Sequence, residues 1–412
     1  MYRSQPQSAG DPATMSGEVL LRIGIALFAI VVPCAAVVSR RSLFVLTPVA
    51  ALLMIIGGLL MPGARAQLAR QLKAALGRPL VLITLALLIW AGLSFTWTPF
   101  PALALERFLK TVGTVLIAAA AISCAPPRLK PSNSNLLPIG LAAAALATLA
   151  VAFSGLEPQR GAELDGGDTL RRAVTGLVVL LWPALASLAL RERLTAAGVL
   201  GALVASAAVA VMAPIALMAL IMGVAVFSAS YSAPERLARL LGGAMAAIML
   251  GAPLIVLALD PLASRLDQDS IFGTLHIWAE IVRSEGLKLI TGHGFDTAAR
   301  ALNAGLLPAG APRGVLFEIW YELGLVGAAA SACLMWVAFT AAASASRGTG
   351  AFLMAGVATV LTICIAGVSI SQLWWTTQIA CAALAWATAI RTRTRAETSR
   401  APVVNQRPML KI

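Results

Sequence analysis

Long apolar runs alternate with short polar links over almost the whole chain. Twelve apolar segments can be drawn, at 19–38, 43–62, 79–97, 109–125, 136–154, 173–190, 195–211, 215–230, 240–259, 324–345, 350–368 and 372–390. A helix that crosses hydrocarbon needs roughly 20 mostly apolar residues, and the runs recur at about that length. The seventh and eighth share one run from Thr195 to Tyr231, broken only at Ala213-Pro214. Proline after an apolar helix marks a turn, so two spans are drawn, with one tilted, kinked helix as the alternative. The pattern predicts an all-α integral membrane protein: a single polytopic domain over residues 1–412 with about twelve transmembrane helices.

One polar stretch interrupts this rhythm. Residues 260–314 form a long loop between the ninth and tenth spans, expected outside the cytoplasm. Within it Ile271, Leu275, Trp278 and Val282 recur at i, i+4, i+7 and i+11, the apolar stripe of an amphipathic helix. That helix is expected to lie on the outer membrane surface or to pack on the bundle, and Gly286 ends it. The segment LITGHGFDTAARAL then predicts a turn and a second short helix. A smaller outer link, GLEPQRGAELDGGDTLRR, precedes the sixth span, and its paired glycines among acidic residues predict exposed, mobile backbone.

Composition agrees with the pattern. Only 12% of the 412 residues are charged and 59% are hydrophobic, with mean hydropathy +0.87, where a soluble domain carries about a quarter charged residues. The net charge of +13 raises the question of nucleic acid. No basic run is interleaved with aromatics, so no nucleic-acid partner is expected. The basic residues instead follow the positive-inside rule when both termini are cytoplasmic. Inner links then hold Arg65, Arg70, Lys73 and Arg78, the pairs Arg128/Lys130, Arg191/Arg193 and Arg236/Arg239, and Arg347, with a basic cytoplasmic tail over 391–412. SRRS around Arg40 is the exception. The first apolar run follows a polar leader and is expected to be a membrane helix, not a cleaved signal. The five cysteines lie in or beside apolar runs without metal-ligand spacing and are expected to be small lipid- or core-facing residues.

Charges at a membrane face are costly and therefore informative. Arg171 and Arg172 open the sixth span, as snorkelling anchors or as a guanidinium fork for phosphate. Arg313, beside Gly314, ends the long loop with the same two readings. Glu318 and Glu322 stand four apart on one helix face, either solvated and salt-bridged or placed for proton transfer. The two histidines are His276, on the amphipathic stripe's helix, and His293, in a glycine turn. They lack a third spaced ligand, and no nucleotide-binding glycine pattern is present, so neither metal nor cofactor is expected.

Several segments together resemble the O-antigen ligase and O-antigen polymerase superfamily of bacterial envelope enzymes. They are LSFTWTPFPALALERFLK (93–110), RRAVTGLVVLLWPALASL (171–188), HIWAEIVRSEGLKLITGHGFD (276–296), LFEIWYELGLVG (316–327) and SQLWWTTQIACAALAW (371–386). The resemblance rests on their order and on the large loop before the Glu-Leu-Gly element. It implies twelve spans in a bacterial inner membrane and an outward-facing cleft under the loop. It also implies transfer of a glycan from a polyprenyl diphosphate to a sugar acceptor on a lipid or glycan, with no metal or nucleotide. Arginines would hold the diphosphate, with Arg172 matching the sixth-span arginine. A histidine before the Glu-Leu-Gly helix would activate the acceptor, but the matching position here is Arg313. The family's arginine before the loop's Ile-Trp pair is replaced by Thr274. An arginine stays protonated and cannot serve as the base, though it can neutralise a departing diphosphate. The base then falls to Glu318, Glu322 or His293. The alternatives are a degenerate relative that binds lipid-linked glycan or a partner, and a transporter.

Overall fold

The computed structural model describes residues 12–127, 129–154, 166–265, 271–308, 310–346, 348–368 and 372–399, and these contain helices and no strand. In chain order the helices are α1 (Pro12–Ala26), a π-helical turn (Leu27–Val31), α2 (Val32–Val38), α3 (Arg40–Leu59), α4 (Ala64–Leu76), α5 (Pro79–Leu93), α6 (Pro101–Cys124), α7 (Leu136–Ser154) and α8 (Gly166–Ala189). There follow α9 (Leu194–Ala210), α10 (Pro214–Ser230), α11 (Pro234–Ala263), α12 (Ile271–Glu285), α13 (Lys288–Thr291), α14 (Thr297–Asn303), α15 (Val315–Ser344), α16 (Gly350–Ile365) and α17 (Leu373–Ser399). Among the described residues, nine helical stretches are long and apolar enough to cross a membrane, and α9, α10 and α16 are shorter apolar helices. The run from Thr195 to Tyr231 is two helices. Met212 takes a left-handed backbone at the break, and Pro214 opens α10, where the first turn has no use for its missing N–H.

The bundle is built around α8, whose residues are buried almost all round from Ala173 to Ala184. A helix apolar on every face belongs at the centre. Trp182 on α8 donates from Nε1 to Thr359 Oγ1 of α16 at 2.7 Å, and Thr359 donates on to the Ala219 carbonyl of α10 at 3.3 Å. In the outer ring α15 packs along α11, α16 along α10 and α3 along α1. Leu82, Leu85, Ile89 and Leu93 of α5, and Val199, Ile221, Leu240 and Leu254 of α9–α11, are exposed. Such a belt suits lipid and not water.

One end of the bundle is tied by polar contacts. Lys130 meets Glu18 of α1 at 2.5 Å, and Arg391 at the close of the apolar part of α17 donates to the Ala125 carbonyl at 2.9 Å. The described start and end of the chain therefore share this end. α4 caps it: Ala64, Gln67, Leu68, Gln71 and Ala75 face inward, with Gln67 donating to Ala125 O and Gln71 accepting from Arg391. Sequence periodicity had placed only a polar link here.

The long loop begins later than expected. α11 continues through Asp260 to Ala263, because Asp260 is held inside the helix by His276 Nδ1 at 2.6 Å and Arg283 Nη2 at 2.5 Å from α12. α15 likewise starts at Val315, earlier than the apolar run at 324, since polar residues of its first turns are buried by the loop itself. α12 packs on the bundle with Trp278 and Val282 buried, and Gly286 follows it with a left-handed backbone. The residues of the smaller outer link at 155–165, including Arg160, and the tail beyond 399 lie outside the described residues; 391–399 continue α17 as helix.

Replacing Thr359 by Val keeps its shape and removes the acceptor for the buried Trp182 indole. We expect T359V to cost about 1–3 kcal/mol of stability, read as a lowered unfolding midpoint in detergent micelles.

Candidate functional site

The site grows from a break in α15. At Gly324 the backbone takes φ 61° and ψ −157°, a conformation open essentially to glycine alone. The break frees the preceding carbonyls from the helical ladder, and buried carbonyls need partners. Three are met from outside the helix. His293 N donates to Tyr321 O at 2.8 Å, Gly294 N to Glu322 O at 2.9 Å, and Trp90 Nε1 of α5 to Leu323 O at 2.9 Å. The glycine turn around His293 is fitted to this break. A Cβ at Gly292 would strike the Glu322 backbone, and one at Gly324 would strike the Ile290 carbonyl. The two glycine motifs, far apart in sequence, are one joint.

Glu318 and Glu322 are both buried, at 5% and 7% exposure, so neither is the solvated pair that i, i+4 carboxylates usually make. Their settings differ. Glu322 accepts from the backbone N–H of Asp296 at 3.0 Å and of Ala298 at 3.1 Å, pinning the start of α14. It does not line the cavity that Glu318 faces. Glu318 lines a cavity of about 380 Å³ with Arg313, Pro312, Phe317, Leu302 and Gln372. Arg313 itself is exposed, on the segment that leads into α15.

His293 stacks on Tyr321 with centroids 4.2 Å apart. Its Nε2 faces Glu285 Oε2 at 3.0 Å and its Nδ1 faces Tyr321 O at 3.2 Å. Both ring nitrogens thus meet acceptors, and the ring straps the end of α12 to the broken helix. His276 is engaged with Asp260 and, at 3.5 Å, with Glu280. Among the described residues, no three His, Cys, Asp or Glu side chains gather as a metal cage.

Arg171 is exposed on α8 and lines no described cavity, whereas Arg172 lies 5.9 Å from the Trp374 ring centroid, in a groove between α2, α8 and α17. Trp374 Nε1 bonds Gln372 Oε1, and Gln372 borders the Arg313–Glu318 cavity. Arg172 therefore neighbours the site through two side chains and does not enter the same cavity.

No family model, curated protein or solved structure matches this chain.

Several partners were not singled out by sequence. Arg107 on α6 is half-buried within electrostatic reach of Asp296, Glu322 and Glu318, and of the like-charged Arg300. Its signal was an arginine at the edge of the fourth apolar run. Asp296 is buried and pairs with Arg300 Nη2 at 2.6 Å. That pair was visible as an i, i+4 acid–base spacing. Glu285 and Gln372 carried no sequence signal, because only the fold brings them to His293 and to Arg313.

Burial raises the Asp296 carboxyl above its ordinary value, and the hydrogen bond from Arg300 opposes the rise. A raised value means the folded state holds the proton more readily than the unfolded chain. Asp296 therefore adds stability as pH falls through its folded value toward the ordinary one. D296N keeps the left-handed backbone that asparagine tolerates, and we expect it to remove this increment, seen as a flatter dependence of the unfolding midpoint on pH in the acidic range. At the joint, we expect G324A to lose about 1–3 kcal/mol or more from backbone strain alone, measured as loss of the monodisperse peak on heated size-exclusion chromatography.

Proposed function

We propose that the protein is a lipid-linked glycosyltransferase of a bacterial inner membrane. In this reading its twelve apolar helices all cross the bilayer, and both termini and α4 lie in the cytoplasm. The α12–α14 lobe lies outside, as the positive-inside rule favours. Its donor is a glycan on a polyprenyl diphosphate and its acceptor is a sugar hydroxyl on a lipid or glycan, the chemistry implied by the resemblance of its ordered motifs to the O-antigen ligase and polymerase superfamily.

The observation that carries this reading is the cavity that joins an exposed arginine to a buried carboxylate at the start of a broken membrane helix. Arg313 offers a permanent positive charge and a planar fork of donors for the diphosphate. The acceptor oxygen forms the new bond to the anomeric carbon as the bond from that carbon to the diphosphate oxygen breaks. The electron pair leaves with the diphosphate, where Arg313 stabilises it. The acceptor proton passes to the Glu318 carboxylate, the carboxylate in the cavity. Glu318 is taken as the base because it lines the cavity with Arg313, and Glu322 and His293 do not. Arg172 serves from the neighbouring groove, towards the lipid side of the same headgroup.

Two other readings are weaker. Transporters place unwound helix carbonyls on ions, but three of the carbonyls freed at Gly324 are taken by protein donors. A binder without activity is favoured by the absence of the family histidine, and Glu318 separates it from an enzyme. In cells lacking the native copy, we expect E318Q to reduce formation of high-molecular-weight glycan about 10²-fold or more, with donor binding retained. R313A is expected to weaken binding of polyprenyl diphosphate and to lower transfer. Undiminished transfer by E318Q would refute the base assignment, and undiminished donor binding by R313A would refute the transferase reading.

A further inference from the structure

Four cations stand on α4 and just beyond it: Arg65, Arg70, Lys73 and Arg78. All four are exposed, and among the described residues none of their side chains has an ion-pair or hydrogen-bond partner. The neighbouring sequence offers them none. No acidic residue stands between Glu18 and Glu106, and Glu18 is taken by Lys130. A basic patch without acids of its own suits an anionic partner.

The rest of the helix decides which anion. Ala64, Gln67, Leu68, Gln71 and Ala75 face the bundle. Arg65, Ala69, Leu72 and Leu76 follow one another at i, i+4, i+7 and i+11 and form a second row. Leu72 and Leu76 in this row are 50% and 56% exposed, so the bundle does not bury them. Arg70 and Lys73 form a third row, beside the leucines. Leu60 and Leu80, just outside the two ends of α4, are exposed as well.

α4 is also held in place. It touches α3, α5 and α6, Gln67 donates to the carbonyl of Ala125 just beyond α6, and Gln71 accepts from Arg391 of α17. It therefore lies against the ends of apolar helices long enough to span, at the rim of the lipid-facing belt. At that depth a bilayer offers both halves of what α4 presents: acyl chains for leucines and phosphates for the cations. An acidic protein would meet the cations and leave the leucines to find lipid.

We propose that α4 is a docking surface for anionic phospholipids of the leaflet at its end of the bundle. Arg65, Arg70, Lys73 and Arg78 meet the headgroup phosphates, and Leu72 and Leu76 enter the upper acyl region. The contacts of Gln67 and Gln71 hold the surface ready before lipid arrives. The inference rests on the membrane-spanning bundle and not on the transferase reading.

The purified full-length protein in detergent would be titrated with phosphatidylglycerol and with phosphatidylcholine, and bound lipids counted by native mass spectrometry. We expect phosphatidylglycerol to bind at least about tenfold tighter, a preference that weakens as salt rises. A variant carrying R65Q, R70Q, K73Q and R78Q should lose the preference. These side chains have no partner in the protein, so the fold should survive, checked as an unchanged unfolding midpoint. L72Q with L76Q should weaken both lipids about tenfold or more while the preference remains. In nanodiscs containing phosphatidylglycerol, amide exchange in α4 should be slower than in phosphatidylcholine alone, and the four-glutamine variant should show no such difference. Equal binding of the two lipids, or a preference kept by the four-glutamine variant, would overturn the proposal. Displacement of phosphatidylglycerol by soluble glycerol phosphate would overturn the lipid assignment in favour of a free phosphate site.

Discussion

A membrane helix that breaks must find donors for the carbonyls it frees, since hydrocarbon supplies none. In this protein that constraint falls on Tyr321, Glu322 and Leu323, just before Gly324 in α15. The donors come from the turn at His293–Gly294 and from Trp90 of α5. The turn between α13 and α14 is therefore part of the ladder of α15 and not an ornament laid over it. Once the turn is docked, α14 must begin where Glu322 can cap its N–H groups, and α12 must end where Glu285 can reach His293. Residues of α14 and α15 then line the cavity that holds Arg313 and Glu318.

The same joint explains why two glutamates on one helix face have different fates. Glu322 points to the first turn of α14, where unpaired N–H groups and the helix dipole favour a carboxylate. Glu318, one turn earlier, meets a cavity and a neighbouring arginine. Spacing makes them equivalent on a helix surface, and the neighbours distinguish them. Arg107 contributes from a third element: a cation partly withdrawn from water, close to three acidic groups, lowers the electrostatic cost of collecting them. The proposed chemistry uses Glu318 and Arg313, which line one cavity together.

Much of the architecture was legible from hydrophobic rhythm. The twelve apolar runs correspond one for one to the apolar helices described, and the interruption at Ala213-Pro214 is a true break. The loop's amphipathic stripe is α12, with Trp278 and Val282 inward. Boundaries were legible only where polarity and helix end coincide. At Asp260 and at Glu322 they do not, because buried charges satisfied by α12 and by the start of α14 let helix continue through polar residues. α4 was missed because its inner face is mostly glutamine and alanine, with Leu68 the one large apolar residue, which hydrophobic periodicity does not register.

Sequence alone determined that the chain is helical, suited to a bilayer, and polar mainly between spans and in one long loop. These are properties of residues within a few turns of one another, and transfer free energy and helical period suffice to set them. It also marked Arg313, Glu318, Glu322 and His293 as costly residues needing an explanation. Tertiary structure decided what each explanation is. It joined Gly292 to Gly324, gave Glu322 and His293 to the scaffold, left Glu318 with Arg313, and brought Arg107, Glu285 and Gln372 from elements far apart in the chain. Partners of that kind depend on which helices pack together, and no local pattern records them.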